Sequence, residues 1–298
     1  MKKGTLQIEK AGMLIYLICN LAIIIVVFRT FISQQYGIQI GLVAYGLSLL
    51  IAFSPLGETC IRLFGGCKRI TREDQINKIE PIYHDAIRRA NKVNPKVNES
   101  IEIFISHDSK TRVKALGRRT LLVSDGTLYR PDDEIKALLG HEIGHICNHD
   151  TDWIVMVTMG NFFVTVFFFI LQFVVKAVNW TAKVVKPSRI LRALNIIINT
   201  IIAGIMGAWT KFGKLLVNWS LRENEFKADE FAFNMGLGET LCEIIEHLPA
   251  AREENTWKDL LSPFQDPGVR IAHLQDLGCE YKQKYQRGGA NYGANEHE

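Results

Sequence analysis

Paired cysteines, dense basic blocks and internal repeats are all missing from this sequence. Its six cysteines, Cys19, Cys60, Cys67, Cys147, Cys242 and Cys279, are scattered without a CxxC pair. Neither a disulfide framework nor a cysteine-based zinc site is expected, and such usage fits a reducing compartment. Cys147 reads as a buried apolar thiol, not as a ligand. The formal charge is only +4, and no Lys/Arg block is interleaved with aromatics, so no nucleic-acid partner is expected.

What the sequence does have is apolar length: 48% of its 298 residues are hydrophobic, and long runs concentrate that fraction. From Ala11 to Phe28 no residue is charged, and Lys2, Lys3 and Lys10 come before the run. A secretory signal would have a shorter apolar region and small residues after it, whereas Arg29-Thr30-Phe31 follows here, so the run reads as a retained helix. A second uncharged run, from about Gly37 to Pro55, nearly suffices to cross roughly 30 Å of hydrocarbon. The two make a hairpin. Trp153 to Val175 is the strongest run, and Ala193 to Thr210 is weaker because it contains Asn195, Asn199 and Thr200.

Basic residues flank the first hairpin at Lys2, Lys3 and Lys10 and again at Arg62, Lys68, Arg69 and Arg72, which places both ends on the cytoplasmic side. The connection between the later runs conflicts with that rule, because it carries Lys176, Lys183, Lys186, Arg189 and Arg192 and no acid. Either the first pair dominates the topology, or the second pair is re-entrant or shallow.

The expected division is a transmembrane hairpin over 1–56, a soluble part over 57–151, a second hydrophobic hairpin over 152–217, a second soluble part over 218–285 and a flexible Gly/Asn-rich tail over 286–298. Within the first soluble part, a helix is expected through Asp74 to Asn91, a strand over Ile101 to Ile105, and a second strand over Thr120 to Val123 closed by a turn at Asp125-Gly126. Arg130-Pro131-Asp132-Asp133 reads as a helix start with Asp132 as N-cap, and Ile135, Leu138, Leu139 and Ile146 continue it at helical spacing. The fold class expected is α+β and predominantly helical, in an integral membrane protein.

That helix carries His141-Glu142-Ile143-Gly144-His145, an HExxH pattern. Residues four apart share a helical face, so both imidazoles can meet one Zn²⁺ while Glu142 reaches the attacking water. The plainer alternative is two histidines on a polar helix face. A catalytic zinc needs a third protein ligand, and Arg222-Glu223-Asn224-Glu225-Phe226-Lys227-Ala228-Asp229 offers one. Glu225 and Asp229 are four apart, so one carboxylate could ligate and the other could hydrogen-bond a ligand histidine. Glu223 and Glu230 are rivals, and a solvated charged face is the bland reading.

The two motifs, their order and the hydrophobic hairpin between them resemble the M48 family of membrane metallopeptidases, above all its HtpX-like bacterial members. The resemblance runs from the first hairpin through residue 229. It implies a gluzincin-like zinc protease domain with one Zn²⁺ per chain, held by His141, His145 and Glu225, with Glu142 as general base and Asp229 behind a ligand histidine. It also implies a strand that pairs with the extended substrate backbone, matched here by Thr120, Leu121, Leu122, Val123 and Ser124.

Two elements depart from the family pattern. Where it usually has an Asn-Ala-Phe-type element, this chain reads Arg112-Val113-Lys114-Ala115-Leu116-Gly117. Where it commonly has a His-Pro pair before Arg-Ile, the chain reads Ser262-Pro263-Phe264-Gln265-Asp266-Pro267-Gly268-Val269-Arg270-Ile271. Transition-state stabilisation is left with four open candidates, Arg222, His247, Arg270 and His273.

The expected activity is endoproteolysis of membrane or membrane-associated, misfolded proteins at the cytoplasmic face of a bacterial inner membrane, with the lipid bilayer and polypeptide substrates as partners. His145 and Glu225 must meet one ion, so the chain between them crosses the membrane twice or not at all. Two rival readings are a zinc-binding scaffold without catalysis, and a histidine-box oxygenase prompted by His145 and His149. The second needs several His-rich boxes, whereas His84, His107, His247, His273 and His297 are isolated. His149, one turn past His145, is expected to cap the helix or face solvent. Oligomeric state leaves no signal in the sequence.

Overall fold

The computed structural model describes residues 10–97, 100–185, 189–247 and 266–282. The tail expected over 286–298, Lys2 and Lys3, and the Ser262–Gln265 stretch lie outside the described residues. Helix predominates in the rest.

Helices α1 (Ala11–Phe31) and α2 (Gly37–Phe53) form the first hairpin. The 21 residues of α1 rise about 31 Å, enough to cross a bilayer. With 17 residues α2 is shorter, and a third helix, α3 (Pro55–Phe64), leaves it at 82°. The sequence dictates the break, because Ser54 Oγ accepts the Leu56 N–H as an N-cap and Pro55 opens the new helix.

A four-stranded sheet follows, built from β1 (Lys68–Arg69), β2 (Glu102–Ser106), β3 (Val113–Ala115) and β4 (Thr120–Ser124) in the order β1-β2-β4-β3. β4 runs parallel to β2, with Glu102 opposite Thr120, and antiparallel to β3, with Ala115 opposite Leu121. All five β4 residues are buried. The turn expected at Asp125-Gly126 opens a 3₁₀ helix over Asp125–Tyr129.

Helix α4 (Glu73–Val93) and helix α5 (Asp132–Cys147), which carries the HExxH pattern, pack side by side beneath the sheet. Pro131 takes the N-cap position expected for Asp132. Asp132 becomes the first helical residue, and its carboxylate pairs with Lys78 of α4, so it makes no capping bond.

After the turn at Asn148 and His149, α6 (Asp150–Gly160) and α7 (Phe162–Val185) are parted by Asn161 alone, and Asp150–Val178 is long and apolar enough to cross a membrane. Asn161 sits inside the bundle, where its Oδ1 accepts from Tyr16 Oη and Trp209 Nε1 and its Nδ2 donates to Thr165 Oγ1. Within a hydrocarbon slab such mutual satisfaction keeps a polar residue tolerable and ties helices together.

Helix α8 (Arg189–Ala232) is 44 residues long, about 66 Å, and runs without a break across the 217/218 boundary expected between hairpin and soluble part. Its first half is the fourth apolar run, and its second half carries Glu225 and Asp229. A π-helical turn at Phe233–Leu237, with Gly236 at φ 76°, leads to α9 (Gly238–Glu246), and α10 (Pro267–Asp276) follows later.

The described residues form two main apolar cores. One lies in the bundle, around Met13, Tyr16, Leu17, Ile24, Tyr45, Val164 and Leu216. The other binds α4, the sheet, α5, the end of α8, α9 and α10 through residues such as Ile82, Leu121, Ile135, Leu139, Leu241, Ile245 and Leu274. Cys242 and Cys279 are both free and buried in this second core, with their sulfurs 3.8 Å apart.

Candidate metal centre

The site forms where α5 crosses the second half of α8. Gly144 permits the crossing: a Cβ placed there would meet Ala228 Cα and Phe231 Cβ at 3.0 Å. With nothing larger than hydrogen at 144, the histidine face of α5 comes directly over the acidic face of α8.

His141 and His145, four residues apart on α5, project to one side with ring centroids 4.8 Å apart. Glu225 of α8 faces them, its Oε2 3.6 Å from His141 Nε2 and its Oε1 3.5 Å from His145 Nε2. One ligand atom from each of the three lies within 4.8 Å of the other two. Glu223 and Glu230 do not enter this group, and neither does Cys147, whose thiol burial pushes up to about 11.

Each histidine is backed by a carboxylate on its other nitrogen. Asp229 Oδ1 lies 2.9 Å from His141 Nδ1, and Asp150 Oδ2 lies 3.1 Å from His145 Nδ1. Both Nε2 atoms are thereby turned toward Glu225. Burial opposes an imidazolium at His145, yet the carboxylates of Asp150, Glu225 and Glu142 raise its pKa to about 10.

This donor set fits a zinc ion on three grounds of the structure itself. Two imidazole nitrogens and a carboxylate are a common zinc triad, both imidazoles are oriented from behind, and the buried Glu225 Oε2 accepts no hydrogen bond. A cation between the three side chains would give that oxygen a direct partner beside the Arg270 guanidinium, which lies 3.2 Å away without a hydrogen bond to it.

Arg270 of α10 completes the network. Its side chain is 3–4% exposed; Nε and Nη2 donate to Asp229 at 2.7 and 2.6 Å, and Nη1 lies 3.2 Å from Glu225 Oε2. A buried guanidinium between two buried carboxylates keeps all three ionised. Of the other open candidates, the His273 ring lies tilted against Phe226 with centroids 4.9 Å apart, His247 contacts the Glu243 carbonyl at its helix end, and Arg222 lies on α8 one turn before Glu225.

Glu142 is met by the sheet. Its Oε2 accepts the Ala115 N–H of β3 at 2.7 Å. On β3 the Arg112 carbonyl and the Leu116 N–H face β4, so by alternation the backbone groups of Val113 and Ala115 face away from it. β3 is therefore the strand with an open edge beside the site. The expectation that Thr120 to Ser124 pairs with a substrate is corrected here: β4 is interior, with β2 bonded on one side and β3 on the other, and has no backbone edge to offer.

Two participants escaped sequence reasoning. Asp150 carried a weak signal, five residues past His145, but the reversal that brings it back depends on His149 adopting φ 59°, a left-handed conformation that a non-glycine residue rarely takes. Ala115 acts through its backbone, which no side-chain pattern reports. His149 itself is exposed, pairs with Asp152 and stays out of the triad. His84, His107 and His273 are likewise held elsewhere, so among the described residues no second histidine box forms.

The chain is similar to several known proteins. Protease HtpX of Hahella chejuensis is 27% identical over 267 residues, covering 84% of this chain and 88% of that protein. Protease HtpX of Alkalilimnicola ehrlichii is 26% identical over 282 residues, covering 88% and 91%. The crystal structure of Ste24p from S. mikatae gives a TM-score of 0.45 at 16% identity, with 91% of this chain matched to 63% of that one. The family model for Peptidase family M48 matches residues 79–276, from within α4 through β2, β3 and β4 to the triad, its backing carboxylates and α10, and the chain belongs to that family.

Proposed function

We propose that this protein is a membrane-bound zinc endopeptidase that cleaves membrane or membrane-associated polypeptides, misfolded ones included, at the cytoplasmic face. The observation that carries the reading is the convergence of His141, His145 and Glu225 on one point, with Glu142 beside them and held at the open edge of β3. Zinc held by those three ligands would supply Lewis acidity to a peptide carbonyl and acidify a water molecule.

The chain's own residues would do the rest. Glu142 takes a proton from the attacking water and gives it to the leaving amine. Asp229 and Asp150 keep the two imidazoles oriented, and Arg270 keeps Asp229 and Glu225 ionised. An extended substrate segment would add to the sheet along the outward backbone groups of Val113 and the Ala115 carbonyl, the Ala115 N–H being held by Glu142, so that recognition rests on main-chain hydrogen bonds and tolerates varied sequences.

Cytoplasmic placement is supported by the basic residues Lys10, Arg62, Lys68, Arg69 and Arg72 at the site end of the first hairpin. His145 and Glu225 lie on one side of the bundle, as two crossings between them require.

Glu142→Gln tests the activity. Purified full-length protein should keep about one zinc per chain by metal analysis and lose cleavage of casein and of a membrane reporter. Proteolysis undiminished in that variant would sink the assignment.

A further inference from the structure

Helix α3 turns Glu58, Arg62 and Ile61 toward the protein, where Ile61 packs with Val155 and Met159, while three of its large apolar residues face out. Glu58 accepts the Arg119 N–H at 2.8 Å and the Thr120 hydroxyl at 2.9 Å. Arg62 donates to Thr120 Oγ1 at 2.6 Å and lies 4.5 Å above the Phe104 ring. On the outward face Leu56 is 65% exposed, and Leu63 and Phe64 are each 75% exposed. A helix facing water would carry polar residues in those three outward positions.

Chain continuity identifies what covers that face. α3 starts two residues after the end of α2, a membrane segment whose last turns expose Leu50, Ile51 and Phe53, and it turns 82° away from that segment. It must therefore lie at the level where the bundle leaves the lipid. The same level is marked by Lys10 stacked over Trp153 at 5.5 Å, and the exposed Lys68 and Arg69 follow within a few residues of α3.

We propose that α3 is an interfacial helix whose Leu56, Leu63 and Phe64 rest in the boundary between phospholipid headgroups and acyl chains, and that it fixes the height of the catalytic sheet above the bilayer. The inference rests on the membrane reading above. Its mechanical route is short: α3 grips Thr120 of β4, β4 is bonded to β3, and β3 meets Glu142 through Ala115. A site held in this way takes polypeptide segments as they emerge from the lipid, ahead of chains in bulk water.

Depth measurement on the full-length protein in phosphatidylcholine vesicles tests the proposal without using activity. Phe64→Trp adds one emitter to the five native tryptophans, and brominated phosphatidylcholines quench it according to depth. The added emission should be quenched most by bromines near the glycerol backbone. Stronger quenching by bromines near the chain ends would make α3 a continuation of the α2 span and overturn the proposal, and so would no quenching at all. Unquenched native tryptophans would instead overturn the membrane reading itself. In a second arm, Leu56→Gln/Leu63→Gln/Phe64→Gln should lower cleavage of a single-span reporter in vesicles several-fold while leaving casein cleavage in detergent unchanged. Equal loss of both activities, or loss of neither, would overturn the positioning role.

Discussion

The two halves of α8 solve opposite problems with one continuous backbone. In the first half Ile196, Ile197, Ile201 and Ile205 stand more than half exposed, on a segment long and apolar enough to cross a membrane. In the second half Asn224, Glu225 and Asp229 are buried, with Asp229 at 0% exposure. Each half thus holds some residues against their usual preference, exposed isoleucines in the one and buried carboxylates in the other. The first half depends on its solvent and the second on named partners, so deletions should be cheap in the one and expensive in the other.

The largest effect belongs at Asp229. Asp229→Asn keeps the shape but removes the charge that faces Arg270 at 2.6 Å and 2.7 Å, leaving a buried guanidinium with Glu225 as its remaining ion-pair partner among the described residues. Breaking a buried pair in this way costs about 3–5 kcal/mol, and loss of a carboxylate behind a metal-binding histidine lowers metal affinity by roughly 10–100-fold. Thermal unfolding in detergent and zinc competition with a chelator read the two effects separately. Asp229→Leu combined with Arg270→Leu should be less destabilised than either change alone, because the Asp229–Arg270 pair leaves together and Glu225 keeps His141 and His145 beside it. Additive losses would show that the network is weaker than its distances imply.

How much of this was legible in the sequence follows from the range of each determinant. His141, Glu142 and His145 could be placed together because helical periodicity alone fixes their relation. The bundle could be read from hydropathy, since lipid asks only for length and apolarity. Glu225 and Asp229 needed the family resemblance, as the contact between α5 and α8 depends on how the bundle returns the chain. β4 was matched to the substrate strand through the family resemblance, and where a strand sits in its sheet is a tertiary property that no local run of residues reports. Arg270 was only one of four candidates, because no local pattern tells a clamp on Asp229 from a surface cation.

A middle-sized effect is expected where the two helices touch. Gly144→Ala puts a methyl 3.0 Å from Ala228 Cα and Phe231 Cβ, and the backbone atom cannot rotate away. Overpacking of this kind costs about 1–3 kcal/mol, and separating α5 from α8 also lengthens the reach from Glu225 to both imidazoles. Zinc should bind more weakly in this variant than stability loss alone explains, since the methyl acts on the ligand geometry directly. Chelator competition at a temperature well below unfolding separates the two. Unchanged zinc affinity would mean that the crossing has slack and that the triad is positioned from elsewhere.

The smallest effect tests the lipid-facing half. Ile201→Ala removes the same atoms as Ile245→Ala, but Ile201 is exposed on the described surface while Ile245 is 1% exposed inside the catalytic core. Emptying the packed site leaves a cavity and costs about 2–5 kcal/mol. At residue 201 lipid tails fill the space left behind, so the change should stay within about 0.5 kcal/mol, as at an unconstrained surface position. Unfolding in the same detergent or vesicle preparation gives both values side by side. If Ile201→Ala costs as much as Ile245→Ala, then protein and not lipid covers that face of α8, and the second copy of the chain is the first partner to look for by cross-linking.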